Sequence, residues 1–222
     1  MTCQEIIKQL KKQKNPKNIA GMARFGINSK NALGISIPTL RAMAKEIGIN
    51  HKLACQLWET DIHEARHLAG MIDDYKLLTS KQMDHWVSGF DSWDICDGVC
   101  MNLFDKSPYA FKKIKQWAKS NIEFTRRAGF SLLACMAFRA KKTSDKELLQ
   151  FFPLIKKYST DERNFVRKAV NWALRQIGKR NKNLCKKALI LAEEIKKLDT
   201  KSSRWIASNA ISELKQKLPN LK

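Results

Sequence analysis

The sequence predicts an all-α protein assembled from repeated pairs of helices. Three observations predict it. Apolar residues recur at three and four along nearly the whole chain, alternating β patterns are essentially absent, and two segments read as copies 41 residues apart. The copies are "FTRRAGFSLL" from 124 and "FVRKAVNWAL" from 165. They pair Phe124 with Phe165, Arg126 with Arg167, Arg127 with Lys168, Ala128 with Ala169 and Leu133 with Leu174. A further 41 residues on, "IASNAISELK" keeps the apolar start and the alanine but loses the basic pair.

A period near forty made of two helices suggests a HEAT-like helical-repeat solenoid, an α-α superhelix with a concave face. With no Pro/Gly/Ser linker, residues 1–222 read as a single domain. Breaks come at short punctuations such as "KNPKN", "GISIP", "KSP", "TSDKE" and "STDER". Thr2 with Glu5 suits a capping box on the first helix, and Pro38 and Pro108 suit first-turn positions after Ser36 and Ser107.

In "DIHEARHLAGMI", Asp61 stands near a cap and Ala65, Leu68, Ala69 and Ile72 fall on the inward side. The same stretch satisfies HExxH, so His63 and His67 share a helix face with Glu64 as a possible general base. A zinc peptidase also needs a third ligand. Asp73 and Asp74 are available, but nothing specifies them, and the structural reading is preferred. No metal or cofactor is expected.

"FDSWDICDGVC" concentrates three aspartates beside a tryptophan. Asp91 or Ser92 can cap a helix running to about Phe104. Cys96, Val99, Cys100 and Leu103 form its apolar stripe, while Asp94, Gly98 and Asn102 point to water. Trp93 and Asp97, one turn apart, share the border of that stripe. A partly desolvated carboxylate needs a cation, and either a structural salt bridge or a reacting centre supplies one. In "NFVRKAVNWALRQIGKR", Val166, Val170, Ala173 and Ile177 face the core and Trp172 does not. Its neighbours are Lys168, Arg175 and Lys179. An indole among cations suits nucleic acid, with cations on phosphates and the ring on sugar or base. A tryptophan packed under the next repeat and covered by lysine stems is the other reading.

The formal net charge is +21. Residues 1–111 hold 14 Lys+Arg against 12 Asp+Glu, a balance of +2, and residues 112–222 hold 28 against 9, a balance of +19. Such a chain meets a polyanion more readily than a neutral small molecule, and a basic concave face is expected. No apolar run approaches the roughly 20 residues of a membrane span. The amphipathic start lacks a secretory pattern, and the six cysteines include no CxxC pair and read as reduced core residues. A cytoplasmic, nucleoid-associated monomer is expected.

With these elements in place, the chain resembles the AlkD-type DNA alkylation repair proteins, bacterial and archaeal HEAT-like-repeat DNA glycosylases. The likeness covers most of the chain: "MARFGINSKNALGISIPTLRAMAK", "HEARHLAG", "SWDICD", "TRRAG" and "NWALR" follow the family's order. The resemblance implies that Asp97 is the catalytic carboxylate and that Trp93 and Trp172 pack on the deoxyribose of the damaged nucleotide. It implies that Arg127 and Arg175 hold the backbone, with duplex DNA carrying cationic N3- or N7-alkylated purines as substrate. It also implies base release without a base-flipping pocket. Phe25 stands where the family carries a tyrosine. Because the alkylated base already carries positive charge, it leaves without a general acid. One carboxylate and two indole faces suffice to stabilise the oxocarbenium-like state. A non-catalytic binder of distorted or branched DNA is the alternative, and a HExxH metallopeptidase a more distant one.

Overall fold

The computed structural model describes residues 1–140 and 143–221. All regular structure among them is helical, and the chain divides into two compact units, the first ending at Pro108 and the second starting at Tyr109.

The first unit comprises α1 (Cys3–Lys12), α2 (Pro16–Arg24), α3 (Ile37–Ile47), α4 (His51–Trp58), α5 (His63–Ile72), α6 (Ser80–Ser88) and α7 (Trp93–Asn102), then a 3-10 turn over Phe104–Lys106. Local sequence explains the starts. Thr2 and Glu5 form the expected reciprocal box, which satisfies two otherwise orphaned N–H groups of α1. Asn15 caps α2 ahead of Pro16, and Ser36 caps α3 ahead of Pro38.

Helix α5 is the core of this unit. It packs against α1, α3, α4 and α7, so it is buried nearly all round rather than along one stripe. The expected inward residues Ala65, Leu68, Ala69 and Ile72 are fully buried, and so, nearly, are His63, Glu64 and His67. The α4 and α6 indoles of Trp58 and Trp86 stack at 4.3 Å, with the Arg66 guanidinium 5.1 Å from the Trp58 ring.

Glu64 is only 1% exposed. Its carboxylate accepts the backbone N–H groups of Leu33 at 2.8 Å and Gly34 at 2.6 Å, with Ile35 at 3.3 Å. It therefore anchors the segment before α3 and is spent as a structural acceptor. Gly34 is required there: its φ is +79°, and a Cβ would stand 2.4 Å from the Asn15 carbonyl oxygen.

The second unit comprises α8 (Ala110–Trp117), α9 (Glu123–Arg139), α10 (Asp145–Leu149), α11 (Phe152–Tyr158), α12 (Asn164–Gly178), α13 (Lys182–Lys196) and α14 (Lys201–Lys217), then a 3-10 turn over Leu218–Asn220. Pro108 differs from expectation: it lies in a turn two residues ahead of α8 rather than within its first turn. Helix pairs α8/α9, α11/α12 and α13/α14 pack internally, and α9, α12 and α14 lie side by side.

The copied segments are neighbours in space. Phe124 and Phe165 meet with ring centroids 5.4 Å apart. One repeat further, Asn171 donates to Asn209 at 2.7 Å and the Arg167 guanidinium lies 5.2 Å from the Trp205 ring. Val166, Val170, Ala173 and Ile177 face the core as the sequence predicts, all fully buried. Asp161 ties the start of α12 to α9, accepting from Arg126 at 2.5 Å and Arg163 at 2.6 Å. Cys96, Cys100, Cys135 and Cys185 are buried, and Cys3 and Cys55 half-buried. No helix among the described residues is long and apolar enough to cross a membrane.

Candidate functional site

In the first unit the predicted residues gather at the start of α7. Ser92 holds the N-cap position of α7, its carbonyl oxygen accepting from the Cys96 N–H at 3.2 Å, but its side chain makes no capping hydrogen bond. The Ser92 hydroxyl donates instead to Asp94 Oδ1 at 2.5 Å, and the exposed Asp91 accepts from Asn28 Nδ2 at 2.6 Å. Trp93 opens the helix half-buried, and its indole Nε1 donates to the Phe25 carbonyl oxygen at 3.0 Å. Asp97 follows one turn later, also half-buried. Cys96, Val99, Cys100 and Leu103 form the buried stripe as expected.

Phe25 terminates α2, and its side chain is 73% exposed. Its backbone, not its ring, secures Trp93. A substitution at this position therefore leaves the tether in place, and the aromatic ring remains available at the surface.

Asp94 departs from expectation. It does not face open water: its carboxylate Oδ2 lies 2.8 Å from His63 Nε2 and 3.2 Å from His67 Nε2, and it is 16% exposed. Burial alone would raise its pKa. The hydrogen bonds and charge of His63 and His67 outweigh that and hold it well below the usual carboxylate range. The physical reason for the departure is that α7 is covered on two faces, by its apolar stripe and by α5. Gly98 lies against the His67 ring, and Asn102 donates to the Gly98 carbonyl oxygen at 2.8 Å. The two HExxH histidines thus do find a carboxylate. It is Asp94, not Asp73, which is held by His51 at 2.6 Å and Gln82 at 2.7 Å. These three side chains border a cavity of about 610 Å³, which Phe25, Arg24 and Lys17 also line.

In the second unit, Trp172 is half-buried on α12, off the core stripe, with exposed Lys168 one turn earlier. With its amide oxygen turned toward the indole, Gln176 accepts from Trp172 Nε1 at 3.0 Å and from Lys179 Nζ at 3.3 Å. Arg175 is not idle. It pairs with Glu213 of α14, whose second oxygen takes Lys179 Nζ at 2.7 Å. Burial raises the Glu213 pKa, but the two cations outweigh it and leave the carboxyl depressed. Two positive groups share one negative one, so the α12 cluster keeps a net positive charge.

Arg127 stands apart from this cluster. It is 5% exposed, and its guanidinium donates to the Phe165 carbonyl oxygen at 2.6 Å. It acts as a strut between α9 and the first turn of α12, and a phosphate can reach it only where that strut opens.

Sequence reasoning missed Glu213 and the link from Asp94 to the histidines, because both are long-range. The repeat gave no signal for Glu213: the 41-residue offset lays Gln216 over Arg175, whereas the contacts Asn171–Asn209 and Arg175–Glu213 run at an offset of 38 residues.

Comparison with curated proteins finds no match. Among solved structures, one described as "a new family of proteins related to the HEAT-like repeat DNA glycosylases with affinity for branched DNA structures" superposes with a TM-score of 0.84. It is 21% identical, over 99% of this chain and 95% of that one. This likeness establishes an all-α, HEAT-like repeat fold. A designed armadillo repeat protein in complex with the peptide (KR)4 aligns over 96% of this chain and 86% of its own. Its identity is 14% and its TM-score 0.42, too low to carry an argument. The family model described as DNA alkylation repair enzyme matches residues 6–214. The chain belongs to the DNA alkylation repair enzyme family.

Proposed function

We propose that the protein is a DNA glycosylase that hydrolyses the N-glycosidic bond of cationic N3- or N7-alkylated purines in duplex DNA. The observation that carries this reading is the pair Trp93 and Asp97, one turn apart on α7 and both half-buried, with the indole tethered to the Phe25 carbonyl. Family membership supports it.

The chemistry requires little. The bond from C1′ to the base nitrogen breaks, and its electron pair leaves with the alkylpurine and neutralises that ring's charge. The sugar becomes an oxocarbenium-like cation. Asp97 stabilises that charge and orients the water that adds to C1′, accepting its proton. The face of Trp93 adds cation–π stabilisation and shape against the deoxyribose. No general acid is needed for a leaving group that departs neutral, and no base-flipping pocket is invoked. Lys168, Arg175 and Lys179 supply phosphate contacts, and Arg127 adds one where its strut to Phe165 opens.

A second reading has its own support. Arg127 is buried, and Arg175 and Lys179 share Glu213, so much of the expected phosphate grip is engaged within the protein. That engagement weakens the case for a tight grip on the backbone of a damaged duplex and leaves a binder of branched DNA that does no chemistry as the second reading. One solved structure of similar fold is described by affinity for such DNA.

The two readings separate in one experiment. Methylated duplex is incubated with the protein and free 7-methylguanine and 3-methyladenine are quantified, while binding to a four-way junction and to plain duplex is measured in parallel. Time-dependent base release supports the glycosylase. No release, with preference for the junction, supports the binder.

A further inference from the structure

Helices α5 and α7 close on each other around three ligand-type side chains that the glycosylase chemistry does not use. His63 and His67 lie on one face of α5, and Asp94 meets both from α7. The two Nε2 atoms stand 2.8 and 3.2 Å from the same Asp94 oxygen, and the three candidate ligand atoms fall within 4.8 Å of one another. We propose that His63, His67 and Asp94 form a binding site for a divalent transition-metal ion of the zinc class.

The geometry suits such an ion. Metal–ligand bonds of about 2.0–2.1 Å at tetrahedral angles place adjacent donor atoms about 3.3 Å apart, so small ring shifts admit the ion between groups already converging. Two imidazoles and a carboxylate form a borderline donor set that zinc and its neighbours accept. The surroundings are also organised. Ser92 binds Asp94 Oδ1 at 2.5 Å, which leaves Oδ2 for the histidines. Gly98 permits the close approach of α7: a Cβ there would stand 3.1 Å from His67 Nδ1 and crowd the ring.

Three protein ligands leave at least one coordination position open. The triad borders the cavity of about 610 Å³ that Lys17 and Arg24 also line, so that position faces water or an anionic oxygen ligand. The site is not that of a HExxH peptidase. Glu64, the residue such chemistry would need as base, is buried against the backbone of residues 33–35. The ion site stands independently of the glycosylase reading.

The test uses the full chain, stripped with chelator and titrated by equilibrium dialysis with Zn²⁺ alone and, separately, with Co²⁺ alone. The expected result is one ion per chain, visible d–d bands for Co²⁺, and a melting temperature raised by Zn²⁺. His67→Gln and Asp94→Asn should each weaken binding at least about a hundredfold, and His51→Ala, altering a different histidine, should leave it unchanged. Circular dichroism on the same samples confirms folding, and His63→Gln serves where one variant is unstable. Folded wild-type protein that takes up no ion at micromolar Zn²⁺ overturns the proposal. So does unchanged affinity in folded His67→Gln or Asp94→Asn.

Discussion

Arg175 on α12 is paired with Glu213 on α14, and Lys179 closes onto the other carboxylate oxygen at 2.7 Å. Cations proposed for DNA phosphates are therefore partly neutralised in the free protein, and their availability is governed by an acid in the next repeat.

Glu213→Gln is expected to release both cations. Duplex affinity at low salt should rise about 3- to 10-fold, and the salt dependence should steepen. Arg175→Ala and Lys168→Ala should each flatten the slope of log K against log salt by about 0.9. Fluorescence anisotropy across a salt series checks this. Affinity indifferent to all three changes would place the DNA contacts elsewhere.

Trp93 should depend on the backbone of Phe25 and not on its ring. Phe25→Ala is expected to change stability by no more than about 0.5 kcal/mol, since that ring is 73% exposed. Trp93→Phe loses the hydrogen bond to the Phe25 carbonyl and should cost about 1 kcal/mol. Urea unfolding of both variants distinguishes the two contributions. If Phe25→Ala lowers methylpurine release without loss of stability, its exposed ring contacts the DNA.

Glu64→Ala removes the acceptor for the Leu33 and Gly34 N–H groups inside the core. Leaving buried donors unpaired should destabilise the protein by about 3 kcal/mol, read as a lowered urea midpoint. Destabilisation below about 0.5 kcal/mol would contradict the structural role assigned to this glutamate.

Asp161 sets a pH dependence. Burial raises its pKa, but hydrogen bonds from Arg163 and Arg126 outweigh burial and depress it. A depressed carboxylate contributes stability that is fully present above the ordinary aspartate pKa of about 3.9 and is lost as pH falls through the lower folded value. The stability gap between wild type and Asp161→Asn should therefore be constant above about pH 5 and narrow below about pH 4. A gap that widens toward acid would reverse the sign.

Much of the fold was legible locally. The Thr2–Glu5 box, the Ser36 cap and the stripes of α7 and α12 follow from periodicities of one or two turns, which the sequence displays directly. The copies at 124 and 165 even predicted which helices would be neighbours. What was not legible depended on which second face of a helix is covered. A helical wheel assigns Asp94 and Gly98 to water because it sees one apolar stripe, and only the α5–α7 contact reveals their partners. Arg127 misled for a related reason: α9 is buried continuously from Arg127 to Ala137, so a basic residue in its first turns lies inside. Trp93 and Asp97, read at the border of their stripe, and Trp172, read off its own, are all half-buried.

The central claim is that Asp97 does chemistry on a cationic base. Its most direct test is the single-turnover release of 7-methylguanine from methylated duplex by wild type and Asp97→Asn, with duplex affinity measured on the same preparations. Release by wild type that falls at least about 100-fold in Asp97→Asn, with affinity preserved within about twofold, is the expected result. Equal release by the two proteins, or none from wild type bound to the same DNA, would contradict it.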